Sequence, residues 1–250
     1  MSENSVCFVI ANKYYRNYPS HLEHYVNNII KFYKNSFVLI VDNNSKYISD
    51  FKFEYDNVVI LDNSSECKFE LGAYKFGIKY LIENNLISKY NYYVFTQDTF
   101  VLNNFFDFNK LIENNTTAAP LISARIGFDA NSHYNVPFIN DVIKKINLID
   151  DIPNFTYCLS NSFVLHNSKL EEFLDITKDL IITVKLKSQY CEPLLSGILY
   201  HLNNKVNTYI DRPNLEDKGY HEGNVNVENN NLPNYFIKRV YDKNEKIVDV

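Results

Sequence analysis

Residues 92–98, Tyr-Tyr-Val-Phe-Thr-Gln-Asp, predict a buried β-strand that ends in the carboxylate of Asp98. Four apolar residues of high β-propensity run directly into three polar ones, which marks the C-terminal end of the strand. Ligands of open α/β sheets bind outside that end, where an acid can hold a divalent cation against a phosphate. The stretch therefore predicts a ligand site at Asp98.

Strands and helices alternate in the chain before this stretch. Apolar runs at 6–11, 37–41 and 58–61 predict three further buried strands, each followed by polar residues. The helix before residue 92 carries apolar side chains at helical spacing, at Leu71, Tyr74, Ile78 and Leu81. Such alternation gives right-handed crossovers and a mainly parallel sheet whose loops gather at one edge. The sequence thus predicts an α/β fold in which a mainly parallel sheet is flanked by helices.

The pattern is looser in the C-terminal half of the chain. A strand is predicted within 118–124, a loop and a short helix within 136–147, and another strand within 158–165. Pro193 suits the first turn of a further helix. Residues 211–233 are polar and predict a long loop or arm.

Composition excludes several classes of protein. A length of 250 residues suits one domain with a substantial core, and a hydrophobic share of 46% argues against disorder. The formal charge of -5 argues against nonspecific binding to nucleic acid, which needs a basic surface. No apolar run approaches the ~20 residues of a membrane span, so the sequence predicts no integral membrane segment.

The four cysteines, Cys7, Cys67, Cys158 and Cys191, are scattered without paired spacing. This distribution argues against a structural zinc site and against a disulfide framework. The expectation is reduced thiols and a cytoplasmic location.

The order of these elements resembles the nucleotide-sugar half of the GT-A glycosyltransferases, with Asp98 at a strand end after a Glu70-Leu71-Gly72-Ala73 helix start. Residues 191–196, Cys-Glu-Pro-Leu-Leu-Ser, resemble the acid-bearing helix start of polysaccharide-building transferases of the rhamnan-synthesis type. Residues 161–165, which precede a capped helix, add to this likeness. The resemblance implies a GT-A-like, Rossmann-type single domain. Its parts would be a nucleotide-sugar half at 5–110, an acceptor half at 111–210 and a C-terminal arm at 211–250.

The resemblance implies a metal-dependent glycosyltransferase that moves a sugar from a nucleotide-diphosphate donor to a glycan hydroxyl. A UDP-sugar, Mn or Mg, and inversion at the sugar are expected. The family ends a central strand in an Asp-x-Asp motif whose last acid matches Asp98, while Thr96 stands at the first. His221, within Gly-Tyr-His-Glu-Gly, is a second candidate metal ligand. The alternatives are an Asp98 that closes a turn and a His221 on the surface.

The resemblance also implies a donor pocket at the ends of the first two strands and along the helix before Asp98. The positions concerned are Ala11, Asn12, Asp42, Asn43, Gly72, Lys75 and Gln97. Asp42 is expected to accept a hydrogen bond from the nucleobase or ribose, Lys75 to reach a phosphate, and Gly72 to let a backbone or ligand approach. The alternatives are turn chemistry for Asp42, Asn12 and Asn43 and a solvated surface position for Lys75.

Inverting transfer needs a base that removes a proton from the acceptor hydroxyl, and Glu192 is the candidate. Capping of the helix that starts there is the alternative role, because a helix N-terminus stabilises a carboxylate. Two other functions stay open: a noncatalytic glycan- or nucleotide-sugar-binding protein derived from a transferase, and a nucleotidyltransferase. The latter would carry a basic, glycine-rich loop after the first strand, which residues 11–14 match poorly.

Overall fold

The sheet that carries the predicted ligand site is described by a computed structural model. The structure describes residues 5–13, 22–45, 51–122, 137–148, 158–210, 236–241 and 247–249. The strands are β1 (Val6–Asn12), β2 (Phe37–Asp42), β3 (Val58–Asp62), β4 (Tyr92–Gln97), β5 (Phe100–Leu102), β6 (Ala118–Pro120), β7 (Phe163–His166), β8 (Phe236–Tyr241) and β9 (Ile247–Asp249). The α-helices are α1 (Leu22–Phe32), α2 (Phe69–Glu83), α3 (Asn109–Glu113), α4 (Pro137–Lys145), α5 (Leu170–Thr177), α6 (Lys185–Gln189) and α7 (Cys191–Leu202).

Six strands form the main sheet, in the order β3-β2-β1-β4-β7-β6. The first four are parallel to one another, whereas β7 runs antiparallel to both β4 and β6. The α/β class and the mainly parallel sheet are therefore confirmed. The direction of β7 is not predicted, because an apolar run of this length does not encode the direction of a strand.

Helices cover both faces of this sheet. Phe8 and Ile10 of β1 belong to the same core as α1, whereas Val9 and Ala11 belong to the same core as α2. Successive side chains of a strand point to opposite faces, so β1 supplies both cores. Strands buried on both faces read as continuous apolar runs, which explains why the sequence predicts β1, β2 and β4 closely.

Helix α2 lies very close to the sheet. A Cβ atom on Gly77 would lie 2.8 Å from Cγ1 of Val9 and 3.3 Å from Cγ2 of Val41. The glycine therefore allows the helix backbone to approach β1 and β2 directly. The buried side chains of α2 include those predicted from helical spacing, Leu71, Tyr74, Ile78 and Leu81.

Strand β7 begins later than the sequence predicts. Residues 158–165 predict one strand, but β7 begins at Phe163, after a 3₁₀ turn at Leu159–Asn161. Ser160 and Asn161 have left-handed backbone conformations, with φ angles of 59° and 52°. This conformation interrupts an extended chain and costs a residue other than glycine about 1–2 kcal/mol. Contacts from elsewhere in the fold must therefore hold the turn.

A second sheet has the order β5-β8-β9 and is antiparallel throughout. β5 begins two residues after Asp98, and its Phe100 and Leu102 side chains share a core with α1. This sheet is not predicted, because β5 has only three residues and its partner strands are distant in sequence. The predicted arm at 211–233 lies outside the described residues.

Two further features concern the cysteines and the apolar character of the helices. The four cysteines are buried, and none forms a disulfide bond. In the described part of the chain, no helix has both the length and the apolar character needed to cross a membrane.

Candidate functional site at the carboxyl edge of the sheet

The carboxyl ends of β1, β2 and β4 meet at one edge of the main sheet. The chain leaves β1 towards β2 and β3, and it returns on the other side of β1 as β4. The boundary between β1 and β4 is therefore a topological switch point, where the loops diverge and ligands of α/β folds bind. Asp98 directly follows β4 at this boundary.

Two hydrogen bonds join Asp98 to the end of β1. Its N–H donates to the carbonyl of Ala11 at 3.0 Å. Its Oδ2 accepts the N–H of Lys13, also at 3.0 Å. These bonds extend the pairing of β1 with β4 past the end of β4. The carboxylate is thus oriented by the backbone that follows β1.

Asp42, at the end of β2, is bound by neighbouring protein groups. Its carboxylate accepts the N–H of Ser45 at 2.6 Å and the Ser45 hydroxyl at 2.5 Å. It also accepts a hydrogen bond from Nδ2 of Asn12 at 2.5 Å. Ser45 lies three residues after Asp42, so its two bonds to Asp42 close the loop after β2. These bonds give Asp42 a role in closing a turn, which is one of the two alternatives that the sequence leaves open.

Asn12 offers an unpaired acceptor at the same edge. The residue is 1% exposed, and its Oδ1 atom has no hydrogen-bond partner among the described residues. An unpaired buried polar atom costs about 1–3 kcal/mol and requires an explanation such as an ordered water or a ligand. Because Ala11 pairs with Gln97, the residues that follow them, Asn12 and Asp98, are neighbours across the switch point.

Asn43 belongs to a network that joins the loops after β2 and β3 to the start of α2. Its Nδ2 donates to the carbonyl of Phe69 at 3.3 Å, and its Oδ1 accepts from Nδ2 of Asn63 at 2.9 Å. Nζ of Lys13 donates to the carbonyls of Asn43 at 2.6 Å and Asn44 at 2.7 Å. The amide of Asn43 and the ammonium of Lys13 therefore both bind protein groups.

Thr96 and Gln97 are buried on opposite faces of β4. The hydroxyl of Tyr25 in α1 donates to Oγ1 of Thr96 at 3.0 Å. Nε2 of Gln97 donates to the carbonyl of Ser160 at 2.7 Å. Thr96, which the resemblance matches to the first acid of the Asp-x-Asp motif, is thus fully buried.

Glu192 lies in the first turn of α7 and binds the turn before β7. Its Oε1 accepts the N–H of Ser160 at 2.8 Å. Glu192 and Gln97 therefore bind the two backbone groups of one residue. Because β7 runs antiparallel to β4, the turn before β7 lies beside the end of β4. The fold thus brings Glu192 to the same edge as Asp98.

Two buried cysteines flank Glu192 in this region. Burial raises the pKa of the Cys158 thiol, and the carboxylate of Glu192 raises it further. Burial also raises the pKa of Cys191, with the carboxylate of Glu70 as the next cause. Both thiols stay protonated near neutral pH, so neither supplies the thiolate that a cysteine nucleophile needs.

Gly72 is required by the protein backbone. A Cβ atom on this residue would overlap the carbonyl of Cys67. That carbonyl also accepts hydrogen bonds from Nδ2 of Asn63 at 3.0 Å and from Oγ of Ser65 at 2.9 Å. The loop after β3 therefore packs directly on the first turn of α2. The sequence allows either a backbone or a ligand to approach Gly72 closely, and in the structure the backbone of Cys67 does so.

Lys75 binds the C-terminal end of α5 through its ammonium group. Its Nζ donates to the carbonyls of Thr177 at 2.6 Å, Lys178 at 3.2 Å and Leu180 at 2.8 Å. The last carbonyls of a helix lack intrahelical partners, and a cation there also interacts favourably with the helix dipole. Burial lowers the pKa of Lys75. The contact gives Lys75 a structural role, so we leave it out of the donor site.

Replacement of Lys75 by Met should lower the free energy of unfolding by about 2–4 kcal/mol, because buried carbonyls lose their donor. Met keeps an apolar stem of similar length, so little packing is lost. Urea denaturation measures the change. Lys79→Met, at an exposed position of the same helix, is the matched control and should change stability by less than about 0.5 kcal/mol. Equal losses in the two variants would contradict the capping role.

No family model matches the chain, and no curated protein matches it. The function is therefore inferred from the chain's own residues.

A metal ion at this edge would depend on oxygen ligands. Among the described residues, no group of three or more His, Cys, Asp or Glu side chains could hold a metal ion. The carboxylate of Asp98 and the unpaired amide oxygen of Asn12 are, however, ligands that Mg and Mn accept. Mg is commonly held by one or two carboxylates together with substrate phosphates. Asp98 and Asn12 thus offer oxygen atoms of the type that such a cation uses. His221 lies outside the described residues.

Sequence analysis does not predict the contacts of Lys13 and Ser160 at this edge. Each acts through its backbone N–H. Every residue except proline carries this group, so no side-chain pattern marks such a contact. Asn161 does carry a signal, because asparagine adopts the left-handed conformation more readily than most residues.

Proposed function

We propose that this protein is a GT-A-type glycosyltransferase that moves a sugar from a nucleotide-diphosphate donor, expected to be a UDP-sugar, to a hydroxyl of a glycan. The observation that carries the proposal is the carboxylate of Asp98 at the switch point between β1 and β4. Glu192 lies at the same edge, joined to the end of β4 through Ser160. In this proposal Asp98 lies beside the bound donor, and Glu192 lies beside the acceptor.

The donor is proposed to bind over the ends of β1 and β2. Asp98 and Asn12 would hold Mn or Mg there, and the bound cation would offset negative charge on the diphosphate. The hydrogen bond from the N–H of Lys13 keeps the Asp98 carboxylate directed to this position. Asp42 and Asn43 shape the loop after β2, since their side chains bind protein groups.

Glu192 is proposed to take the proton from the acceptor hydroxyl. A general base must be ionised and within hydrogen-bond reach of the proton. The first turn of α7 favours the ionised carboxylate, because a helix N-terminus carries partial positive charge. The hydroxyl oxygen then attacks the sugar carbon on the side opposite the diphosphate, the bond to the diphosphate breaks, and the configuration inverts.

A panel of nucleotides and nucleotide sugars tests the donor site by thermal unfolding. A true donor should raise the midpoint by about 5 °C or more at 100 times its Kd, because a ligand that binds only the folded state stabilises it. The rise should require Mn or Mg. Asp98→Ala should abolish the metal-dependent part of the rise, because it removes the proposed ligand.

Asp62→Ala is the matched control, since Asp62 also ends a parallel strand but is exposed at the far side of β2. It should keep the metal-dependent rise. An unchanged rise in Asp98→Ala would contradict the metal role of this residue. No rise with any compound would favour a noncatalytic binding protein, and pyrophosphate release from a nucleoside triphosphate would favour a nucleotidyltransferase.

A further inference from the structure

Ser160 has both of its backbone groups bound by side chains from distant parts of the chain. Its N–H donates to Oε1 of Glu192 at 2.8 Å, and its carbonyl accepts from Nε2 of Gln97 at 2.7 Å. Gln97 is the last residue of β4, and Glu192 lies in the first turn of α7. One residue therefore joins the strand that ends before Asp98 to the helix that carries the proposed base.

The turn that contains Ser160 depends on contacts of this kind. Ser160 and the following Asn161 both have positive φ angles, which residues other than glycine adopt at a cost. Such conformations persist only where the surrounding structure holds them. A further contact joins Nδ2 of Asn161 to the carbonyl of Ser188, but it is long, at 3.4 Å. The two shorter bonds to Ser160 are placed to stabilise the turn.

Burial strengthens this arrangement. Gln97 is 8% exposed and Ser160 is 4% exposed. Water therefore cannot readily replace Gln97, whereas Glu192 is partly exposed. Loss of either partner would remove a hydrogen bond from the backbone of a buried residue. The bonds should act together, because a turn released on one side can rotate and lose the bond on the other.

We propose that Gln97 and Glu192 form a clamp on the two backbone groups of Ser160, and that Gln97 is thereby a positioning residue that sets the Glu192 carboxylate relative to Asp98. The positioning of a base depends on the proposed glycosyl transfer, whereas the clamp itself does not. Gln97 touches no reacting atom in this account and acts only through the turn.

Three substitutions separate the clamp from the chemistry. Gln97→Met keeps the length of the side chain but removes the N–H donor. Glu192→Leu removes the acceptor, whereas Glu192→Gln keeps an oxygen that can accept the N–H of Ser160. Glu192→Gln is therefore the matched control for the loss of the clamp.

A double-mutant cycle in thermal unfolding tests the clamp without any substrate. Gln97→Met and Glu192→Leu should each lower the midpoint by about 5 °C, because each removes a hydrogen bond that holds the backbone of a buried turn. The midpoint of the double variant should lie only slightly below that of the less stable single variant. Glu192→Gln should stay within about 2 °C of the wild type. Losses that add in the double variant, or an equal loss in Glu192→Gln, would overturn the clamp.

Steady-state kinetics with the donor found in the thermal panel tests the positioning role. Gln97→Met should lower kcat per folded molecule by about 10²-fold, since a misplacement of about 1 Å has this effect, while KM for the donor changes less than about threefold. An unchanged kcat would overturn the positioning role. If the wild type transfers no sugar from any donor, the proposed function fails, and the thermal cycle alone decides the clamp.

Discussion

Glu192→Gln should lower the rate constant of glycosyl transfer by about 10²–10⁴-fold, the range that general-base catalysis contributes. The amide cannot take the proton of the acceptor hydroxyl. Its oxygen can still accept the N–H of Ser160, so the turn before β7 keeps its contact. Asp98 is unchanged, so donor affinity should stay the same. A loss in kcat at constant donor affinity indicates a group that acts in the chemical step.

Product formation at saturating donor and several acceptor concentrations measures this effect. Glu70→Gln is the matched control, because Glu70 also lies in the first turn of a helix at this edge. Its carboxylate accepts the hydroxyl of Ser188 at 2.5 Å and lies 3.6 Å from Nζ of Lys185. This variant should keep most of the activity. Normal transfer by Glu192→Gln would exclude the base role, and equal losses would indicate a general effect of charge at the edge.

Gly72→Ala should lower the free energy of unfolding by about 2–4 kcal/mol. The new methyl group would overlap the carbonyl of Cys67, a backbone group that cannot move like a flexible side chain. Asn63 and Ser65 hold this carbonyl by hydrogen bonds, which further limits its movement. The intrinsic helix propensity of alanine favours the variant by about 1 kcal/mol, so the overlap must exceed this gain for stability to fall.

Chemical denaturation of Gly72→Ala and Gly77→Ala gives the comparison. A Cβ atom on Gly77 meets side-chain methyl groups of Val9 and Val41 instead of a carbonyl. Side chains can shift by a few tenths of an ångström, so Gly77→Ala should be the less destabilised variant. A Gly72→Ala protein at least as stable as Gly77→Ala would mean that the loop after β3 moves freely away from α2.

Three of the four parallel strands, β1, β2 and β4, are predictable because they are buried on both faces. Burial of this kind produces continuous apolar runs, and the polar residues that follow each run indicate where the loops begin. The sequence therefore predicts β1, β2, β3 and β4 and their shared edge. It does not predict the second sheet, because β5 has three residues and pairs with β8, which lies more than a hundred residues away.

The candidate site is predictable where a side chain follows a strand and not where it lies on a helix. The end of β4 marks Asp98 directly, and its position at the switch point follows from the order of the elements. Lys75 has the same local pattern as a solvated or phosphate-binding lysine. Its partners are carbonyls about a hundred residues further along the chain, which no local pattern indicates.

The α/β class, the parallel strands and the carboxylate of Asp98 at a strand end follow from the amino-acid sequence, because apolar periodicity and polar strand ends are local properties. Only the folded chain shows that β7 is antiparallel and that Glu192 and Gln97 bind Ser160 from two sides. The same is true of the contact by which Lys75 caps α5. These features depend on backbone groups brought together across long stretches of chain, and a backbone N–H or carbonyl is the same at almost every position.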